Sequence, residues 1–222
     1  MMTKNAATET DTQKILLLCG IVSSLLYTLM NVFIPLLWPA YDSISQTVSE
    51  LSAVGAPTQQ LWISLGAIYS LLVAAFGLGI WQAGQGNGHL RIVGLLLLVY
   101  GLVSTLWPFA PMHQRAVLAA GGATMTDTMH LSLAAVTVFI MVLAMAFGAA
   151  AFGRSFRLYS VITILVMLVF GVLTALDAPK VQANLPTPYA GLWERINIGA
   201  FLLWVIVLAV YCYRIRKAGT RS

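Results

Sequence analysis

The chain has 222 residues, of which 59% are hydrophobic and 9% are charged, and its formal net charge at pH 7 is +5. Soluble globular domains carry about 25% charged residues, so this composition excludes an ordinary soluble domain and indicates a polytopic membrane protein. The positive charge does not indicate nucleic-acid binding, because the basic residues lie at the ends of hydrophobic runs and not on one folded basic surface.

Six hydrophobic runs are long enough to cross a bilayer, which requires about 20 mostly apolar residues. They are Ile15–Leu37, Leu61–Ala83, Ile92–Ala110, Leu131–Phe152, Leu158–Leu176 and Gly191–Tyr213. Each run should be helical in hydrocarbon, where a helix satisfies its own backbone. We therefore predict an all-α protein: a bundle of six transmembrane helices over residues 15–213, with a tail of residues 1–14 and a basic tail of residues 214–222.

The basic residues are distributed unequally between the two ends of the predicted bundle. If the N-terminus is cytoplasmic, nine of the 12 Lys and Arg residues are cytoplasmic and three lie outside: Arg115, Lys180 and Arg195. Because cytoplasmic loops carry an excess of Lys and Arg, we predict that both termini are cytoplasmic. Most acids and two histidines then lie at the outer end: Asp42, Glu50, Asp127, Asp177, Glu194, His113 and His130. A functional site is expected there.

The segment YDSISQTVSELSAVGAPT, residues 41–58, follows the first predicted span and is rich in polar side chains. Ser43 and Gln46 fit a capping box. The apolar residues recur at helical spacing: Ile44, Val48 and Leu51. We predict a short amphipathic helix at the membrane interface, with Ser45, Gln46, Ser49 and Glu50 facing away from the bundle. This helix is either a cap on the mouth of the bundle or a lid over a polar cavity.

Asp127 and His130 are three residues apart at the start of the fourth span, so they share one face of the predicted helix. A carboxylate beside an imidazole can orient the ring and raise its pKa. Asp127, His130 and Glu194 are therefore the candidate catalytic residues. His113, His130 and Asp127 are the candidate metal ligands, and their donor atoms would suit zinc. The alternative is that Asp127 caps the helix and the histidines are structural.

Polar residues near the outer span ends form a candidate ligand-binding set: Asn31, Asp42, Ser45, Ser49, Glu50, Arg115 and Arg195. An unpaired charge near a span end is costly, so Arg195 is predicted to pair with Glu194 or Asp177, or to hold a lipid phosphate or a carboxylate. On the second span, a stripe of small residues predicts close packing against another helix: Gly66, Ser70, Ala74 and Gly77.

Four motifs together resemble the domain-of-unknown-function family 998: YDSISQTVSELSAVGAPT, WPFAPMHQR, TDTMH and GLWERIN. The resemblance covers nearly the whole chain and implies a six-span protein of the prokaryotic cytoplasmic (inner) membrane. It implies no activity. Many members have an acidic residue after the proline that follows span three, where this chain has Met112 and His113. The chain also resembles, more loosely, the alkaline ceramidase-like hydrolases, but it does not have the histidine pair that they carry in the last span.

Three functions remain open from the sequence. The first is a non-catalytic membrane protein, a lipid-binding, scaffolding or stress-related factor, whose outer polar cluster is structural or binds a lipid or another ligand. The second is an intramembrane hydrolase, with or without a metal, that acts on a lipid or another amphiphile at the outer leaflet. The third is a small transporter, although no span is broken by a proline or a charge at mid-depth. Membrane lipids are the expected partners in each case.

Overall fold

The computed structural model describes the backbone of residues 2–219 and the side chains of residues 12–215. This part of the chain is helical and contains no strand. The helices are α1 (Met2–Phe33), α2 (Gln59–Ala83), α3 (Gly88–Ser104), α4 (Arg115–Ala119), α5 (Met125–Ala151), α6 (Arg154–Gln182) and α7 (Ala190–Gly219). Short 3-10 turns extend α1 and α3 at their ends and form part of the loop between α1 and α2.

Six of these helices are long and apolar enough to cross a membrane, as the sequence predicts. The spans are Thr12–Leu37, Gln59–Ala83, Gly88–Phe109, Met125–Ala151, Arg154–Gln182 and Ala190–Ile215. The fourth span begins six residues earlier than predicted, because Thr124 and Asp127 cap the helix at that point. The helix α1 begins at Met2 and so includes most of the predicted N-terminal tail.

The six spans form a closed ring in the order α1, α2, α3, α5, α6 and α7, and α7 packs against α1. The helices α2 and α3 are joined by a short turn and are neighbours in this ring, as are α5 and α6. The interior of the ring is filled by bulky side chains that are almost fully buried: Phe76, Leu97, Met145, Met167, Phe201 and Trp204. The ring therefore encloses a packed core, and its stability depends on close contact between helices.

The closest helix contact joins α2 to α3 through glycines on both helices. A Cβ added at Gly77 would overlap the backbone of α3, and a Cβ at Gly94 would overlap the backbone of Trp81. The predicted small-residue stripe on α2 is confirmed at Gly77, and Gly101 of α3 lies against the backbone of Ala74. The predicted stripe is wrong at Gly66, because a Cβ added there would have no atom of another helix within 4 Å.

The helix α6 is the least buried span and is held to α7 by two polar contacts. Trp204 Nε1 donates a hydrogen bond to Ser160 Oγ at 2.9 Å, and Asn197 Nδ2 donates to the carbonyl oxygen of Met167. In hydrocarbon such contacts satisfy groups that would otherwise be unpaired. They fix the rotation of α6 and therefore the direction in which its two ends point.

The two ends of the ring differ in their connections. We call the end with residues 38–58, 105–124 and 183–189 the loop end, and the end with residues 84–87 and 152–153 the turn end. The three connections of the loop end contact each other through hydrogen bonds and an ion pair. Most of the acids and two of the three histidines lie at the loop end, where the sequence places the functional residues.

Candidate functional site

The first loop-end connection is folded into two short turns and not into one amphipathic helix. Asp42 accepts hydrogen bonds from Ile44 N at 3.0 Å and from Ser45 Oγ at 2.7 Å. Local bonds of this kind compete with helix formation. A 3-10 helix then covers Val48–Ser52, and its capping box joins Thr47 to Glu50 and not Ser43 to Gln46. The prediction that Glu50 faces away from the protein is wrong, because Glu50 is 3% exposed.

Glu50 and Arg115 form an ion pair that joins the first loop-end connection to α4. Arg115 Nε donates to Glu50 Oε1 at 2.7 Å, and an Nη atom donates to Oε2 at 2.8 Å. Thr47 donates to the same carboxylate through its backbone N and its hydroxyl. The Glu50 side chain is buried at 4% exposed, and the Arg115 side chain is largely covered at 13% exposed. A two-bond contact of this geometry is strong and directional.

The remaining donors of Arg115 bind oxygens from two of the loop-end connections. They reach Ser45 O at 3.2 Å, Thr187 Oγ1 at 2.7 Å and Leu185 O at 3.4 Å. Thr187 itself donates to Ser45 O at 2.8 Å. All five N–H groups of a guanidinium are accounted for in this arrangement. Arg115 therefore fastens the loop-end connections to each other and has no donor left for a ligand.

The charge of Glu50 follows from these contacts. Burial alone would raise the pKa of the carboxyl. The hydrogen bonds and positive charge of Arg115, together with the donors of Thr47 and Gln46, outweigh burial and hold the pKa of Glu50 below its ordinary value. Glu50 is thus a carboxylate at neutral pH and not a proton donor.

Glu194 and Arg195, in the first turns of α7, hold the first loop-end connection from the other side. Glu194 accepts hydrogen bonds from Val48 N and from Ser49 Oγ, so its carboxylate caps the 3-10 helix at the end that favours negative charge. Arg195 donates to Ser43 O, to Gly191 O and to the hydroxyl of Tyr41. The prediction of an ion pair with Glu194 or Asp177 is wrong. Within residues 12–215, Arg195 bonds carbonyls and a phenol, and Asp177 pairs with Lys180.

Asp127 holds the N-terminal end of α5 and also orients His113. Its carboxylate accepts from Thr124 N at 2.8 Å and from His113 N at 2.7 Å. It also lies 2.9 Å from His113 Nδ1. With Nδ1 facing a carboxylate, the other ring nitrogen of His113 is the one that can accept a proton. The carboxylate thus orients His113, from another segment of the chain, and not His130 on its own helix.

His130 points into the protein beneath the second loop-end connection. Its Nδ1 donates to Ala110 O at 2.8 Å, and its ring lies 4.8 Å from the ring of Trp107. A carbonyl only accepts, so Nδ1 carries the proton in this arrangement. Among the side chains of residues 12–215, no three His, Cys, Asp or Glu are placed together to hold a metal ion. Of the candidate metal ligands, His113 and Asp127 contact each other, whereas His130 bonds Ala110 O.

Two clefts open at the loop end on either side of Arg115. The larger, about 360 Å³, lies between Ser45 and the third loop-end connection. It is lined by Ser45, Arg115, Asn184, Leu185, Pro186, Thr187 and Pro188. The smaller, about 150 Å³, is lined by Trp38, Gln46, Glu50, Gln114, Arg115, Ala116 and Asn184. The larger cleft combines an apolar wall with hydroxyl and amide groups, which is the usual composition of a small-ligand site. The smaller cleft combines Trp38 and Ala116 with amide and charged side chains.

The clefts include part of the predicted ligand-binding set. Ser45, Glu50 and Arg115 line one or both clefts, whereas Asn31, Asp42, Ser49 and Arg195 line neither. Asn31 instead donates to Tyr27 O on its own helix at 2.9 Å. Asn184 and Thr187 also line the larger cleft and were not predicted from the sequence. Their only signal is the NLPTP pattern, in which prolines fix a turn while a hydroxyl and an amide remain available.

These features define the class of protein. It is a multi-pass helical membrane protein whose six spans form a closed, packed ring and whose three longer connections are fastened together over one end. The chain belongs to the family described as "Protein of unknown function (DUF998)", whose model matches residues 21–211. This confirms the family suggested by the four sequence motifs. Searches of curated proteins and of solved structures gave no match.

Proposed function

We propose that this protein is a non-catalytic membrane protein that binds the polar headgroup of a lipid, or a similar small polar molecule, at the loop end. The observation that supports the proposal is the larger cleft beside Arg115. The Thr187 hydroxyl is positioned between Arg115 and Ser45 O, and the Ser45 hydroxyl is oriented by Asp42. Its apolar wall, from Leu185 and two prolines, suits the glycerol or acyl part of an amphiphile. A site held rigidly in this way loses little entropy on binding.

Binding is the better interpretation of the loop end than catalysis or transport. The acids that could act as proton donors or nucleophiles are already bound to backbone N–H groups, as Glu50, Asp127 and Glu194 show. The packed interior of the ring favours binding over transport, because a solute would have to displace large buried side chains such as Phe201 and Trp204.

Filling the larger cleft should abolish binding without unfolding the protein. Leu185 is 53% exposed and lines the cleft, so Leu185→Trp should occupy it. Val117 is 42% exposed at the same end and lines neither cleft, so Val117→Trp is the matched control. The soluble headgroups to be tested are glycerophosphoethanolamine, glycerophosphoglycerol and glycerophosphocholine. We expect at least one of them to raise the unfolding temperature of the wild type and of Val117→Trp, but not that of Leu185→Trp. Equal shifts in Leu185→Trp, or no shift with any headgroup or its parent lipid, would contradict the proposal.

Hydrolysis is the second candidate, and the Asp127–His113 contact is the observation that favours it. A carboxylate that orients an imidazole is a common arrangement for a general base. Purified protein should then release fatty acid from a fluorogenic ester lipid, and His113→Gln should lose this activity while keeping its fold. Activity that survives this substitution would remove the candidate.

We also propose that the protein lies in a prokaryotic cytoplasmic membrane with both termini inside, so that the loop end faces outward. The excess of Lys and Arg at the turn end and in the tails supports this orientation. A reporter that is active only in the periplasm should be inactive when fused to the C-terminus and active when inserted after Gly121, a glycine with φ of 84° in an exposed loop-end turn. The opposite pattern would reverse the orientation.

A further inference from the structure

We propose that the turn end carries a binding surface for the headgroup of an anionic phospholipid, formed by four exposed arginines. We call it the arginine patch: Arg91, Arg154, Arg157 and Arg214. It lies at the opposite end of the ring from the clefts. The proposal therefore does not depend on the function proposed for the loop end.

Two contacts of Asn87 join the start of α3, which carries Arg91, to the end of α5. Asn87 caps α3 by accepting from Leu90 N at 3.1 Å, and its Nδ2 donates to Ala151 O at 2.9 Å. This bond fastens the α2–α3 turn to the last residue of α5. Arg91 is in the first turn of α3, and Arg154 follows Ala151 by three residues. Arg91 and Arg154 are thus carried by two segments that this bond joins at the turn end.

The end of α7 reaches the same surface. The ring of Tyr211 lies 4.8 Å from that of Phe152 and 5.3 Å from that of Phe156. Arg214 follows Tyr211 by three residues, and so lies about one helical turn farther out at the turn end.

The surface has a strong excess of positive charge. The sequence has no Asp or Glu in residues 51–126 or 128–176, the two ranges that contain the turns, and the acids on this side of the chain are Glu9 and Asp11 of the N-terminal segment. Among the ion pairs of residues 12–215, none involves an arginine of the patch. Arg157 uses only its Nε, which donates to Ala149 O at 3.3 Å. The two Nη groups of Arg157 remain available to phosphate oxygens, because the planar guanidinium can donate two parallel hydrogen bonds to a phosphate.

An exposed aromatic side chain places the patch at headgroup level. Arg91 lies 4.9 Å from the centre of the Trp81 ring, and Trp81 is 41% exposed. Tryptophan is enriched where lipid tails meet headgroups, and Arg keeps its charge while stacked on an aromatic ring. An arginine held at this depth faces the phosphate layer. The occupant that fits is therefore a lipid phosphate group with a net negative headgroup, such as phosphatidylglycerol.

Native mass spectrometry of the full chain can test the patch with phosphatidylglycerol and phosphatidylethanolamine added to the detergent-purified protein. We expect the wild type to retain phosphatidylglycerol preferentially. Each Arg near an anionic surface changes affinity by a factor of about five, so Arg154→Gln with Arg157→Gln should lower the preference by an order of magnitude or more. Because screening weakens exposed charge interactions, the wild-type preference should also fall as ionic strength rises.

Two further variants separate charge from folding. Arg154→Lys with Arg157→Lys keeps the charge and should keep most of the preference, even if the glutamine variant fails to fold. Lys180→Gln removes one charge at the loop end and should leave the preference unchanged. Equal retention of the two lipids by the wild type, an unchanged preference in the folded glutamine variant, or a preference insensitive to salt would each overturn the proposal.

Discussion

Arg115→Met should destabilise the protein by about 3–5 kcal/mol, the range found when one partner of a buried ion pair is removed. The substitution leaves Glu50 as a carboxylate that is 4% exposed, with only Thr47 and Gln46 as donors. It also removes the bonds to Ser45 and Thr187, so the loop-end connections lose their common fastening. The measurement is the free energy of unfolding of the detergent-solubilised protein.

The chain contains a matched control for this prediction. Lys180 and Asp177 form an ion pair at 2.7 Å, but the lysine side chain is 50% exposed. Exposed pairs contribute about 0–1 kcal/mol, so Lys180→Met should have a small effect. If Arg115→Met costs no more than Lys180→Met, the Glu50–Arg115 contact does not hold the loop end together. Arg115→Lys should be intermediate, because lysine keeps the charge but not the two parallel bonds.

The effect of Arg115→Met should depend on pH with a predictable sign. The pKa of Glu50 is lowered in the folded protein, whereas an unfolded Glu titrates near a pKa of about 4.3. The stability from the charged pair is therefore fully present above pH 4.3 and is lost as the pH falls through the lower, folded value. The difference in unfolding temperature between wild type and Arg115→Met should be largest at pH 7 and shrink below pH 4.

The fold was predictable from the sequence because its main constraint is one-dimensional. A bilayer requires long apolar segments, and these segments stand out in this chain without reference to one another. The short connections 84–87 and 152–153 then force neighbouring antiparallel helices. The clustering of acids at one end followed from counting charges, since chain direction reverses at every span.

The pairing within the loop end was not predictable, because the partners are far apart in sequence. Asp127 and His130 share a helical spacing, yet Asp127 bonds His113, which is 14 residues away in another segment. Glu50 and Arg115 are 65 residues apart, and Glu194 caps a turn 146 residues earlier. Spacing reports only contacts within one helix. The contacts that form the clefts depend on how three irregular connections fold against each other.

Contacts that local sequence does not reveal also explain why the predicted interfacial helix does not form as one helix. Its apolar spacing was correct for Val48 and Leu51, which are buried. Asp42 and Thr47, however, each start a separate turn by accepting or exchanging local hydrogen bonds. Two capping signals within six residues divide the segment, and a single helix cannot satisfy both. Glu50 is drawn inward by Arg115, a partner that local sequence does not reveal.

Gly94→Ala should be among the most damaging single substitutions in this chain, although it adds only one methyl group. The new Cβ would overlap the backbone of Trp81 on α2, which cannot move away as a flexible side chain could. The helices α2 and α3 would have to separate along a contact that also includes Gly77 and Gly101. Overpacking typically costs about 1–3 kcal/mol and occasionally more, and we expect the upper end of this range.

Gly66→Ala is the internal comparison, because Gly66 lies in α2 and a Cβ there would meet nothing within 4 Å. Alanine has the higher helix propensity, so this substitution should leave stability unchanged or raise it by up to about 1 kcal/mol. The two variants add the same methyl group to adjacent helices, and they differ in whether the glycine faces a neighbouring backbone. If Gly94→Ala lowers the unfolding free energy and Gly66→Ala does not, then Gly94 is needed because the helices lie close together and not because glycine is flexible. A neutral Gly94→Ala would mean that α2 and α3 lie farther apart than the structure places them.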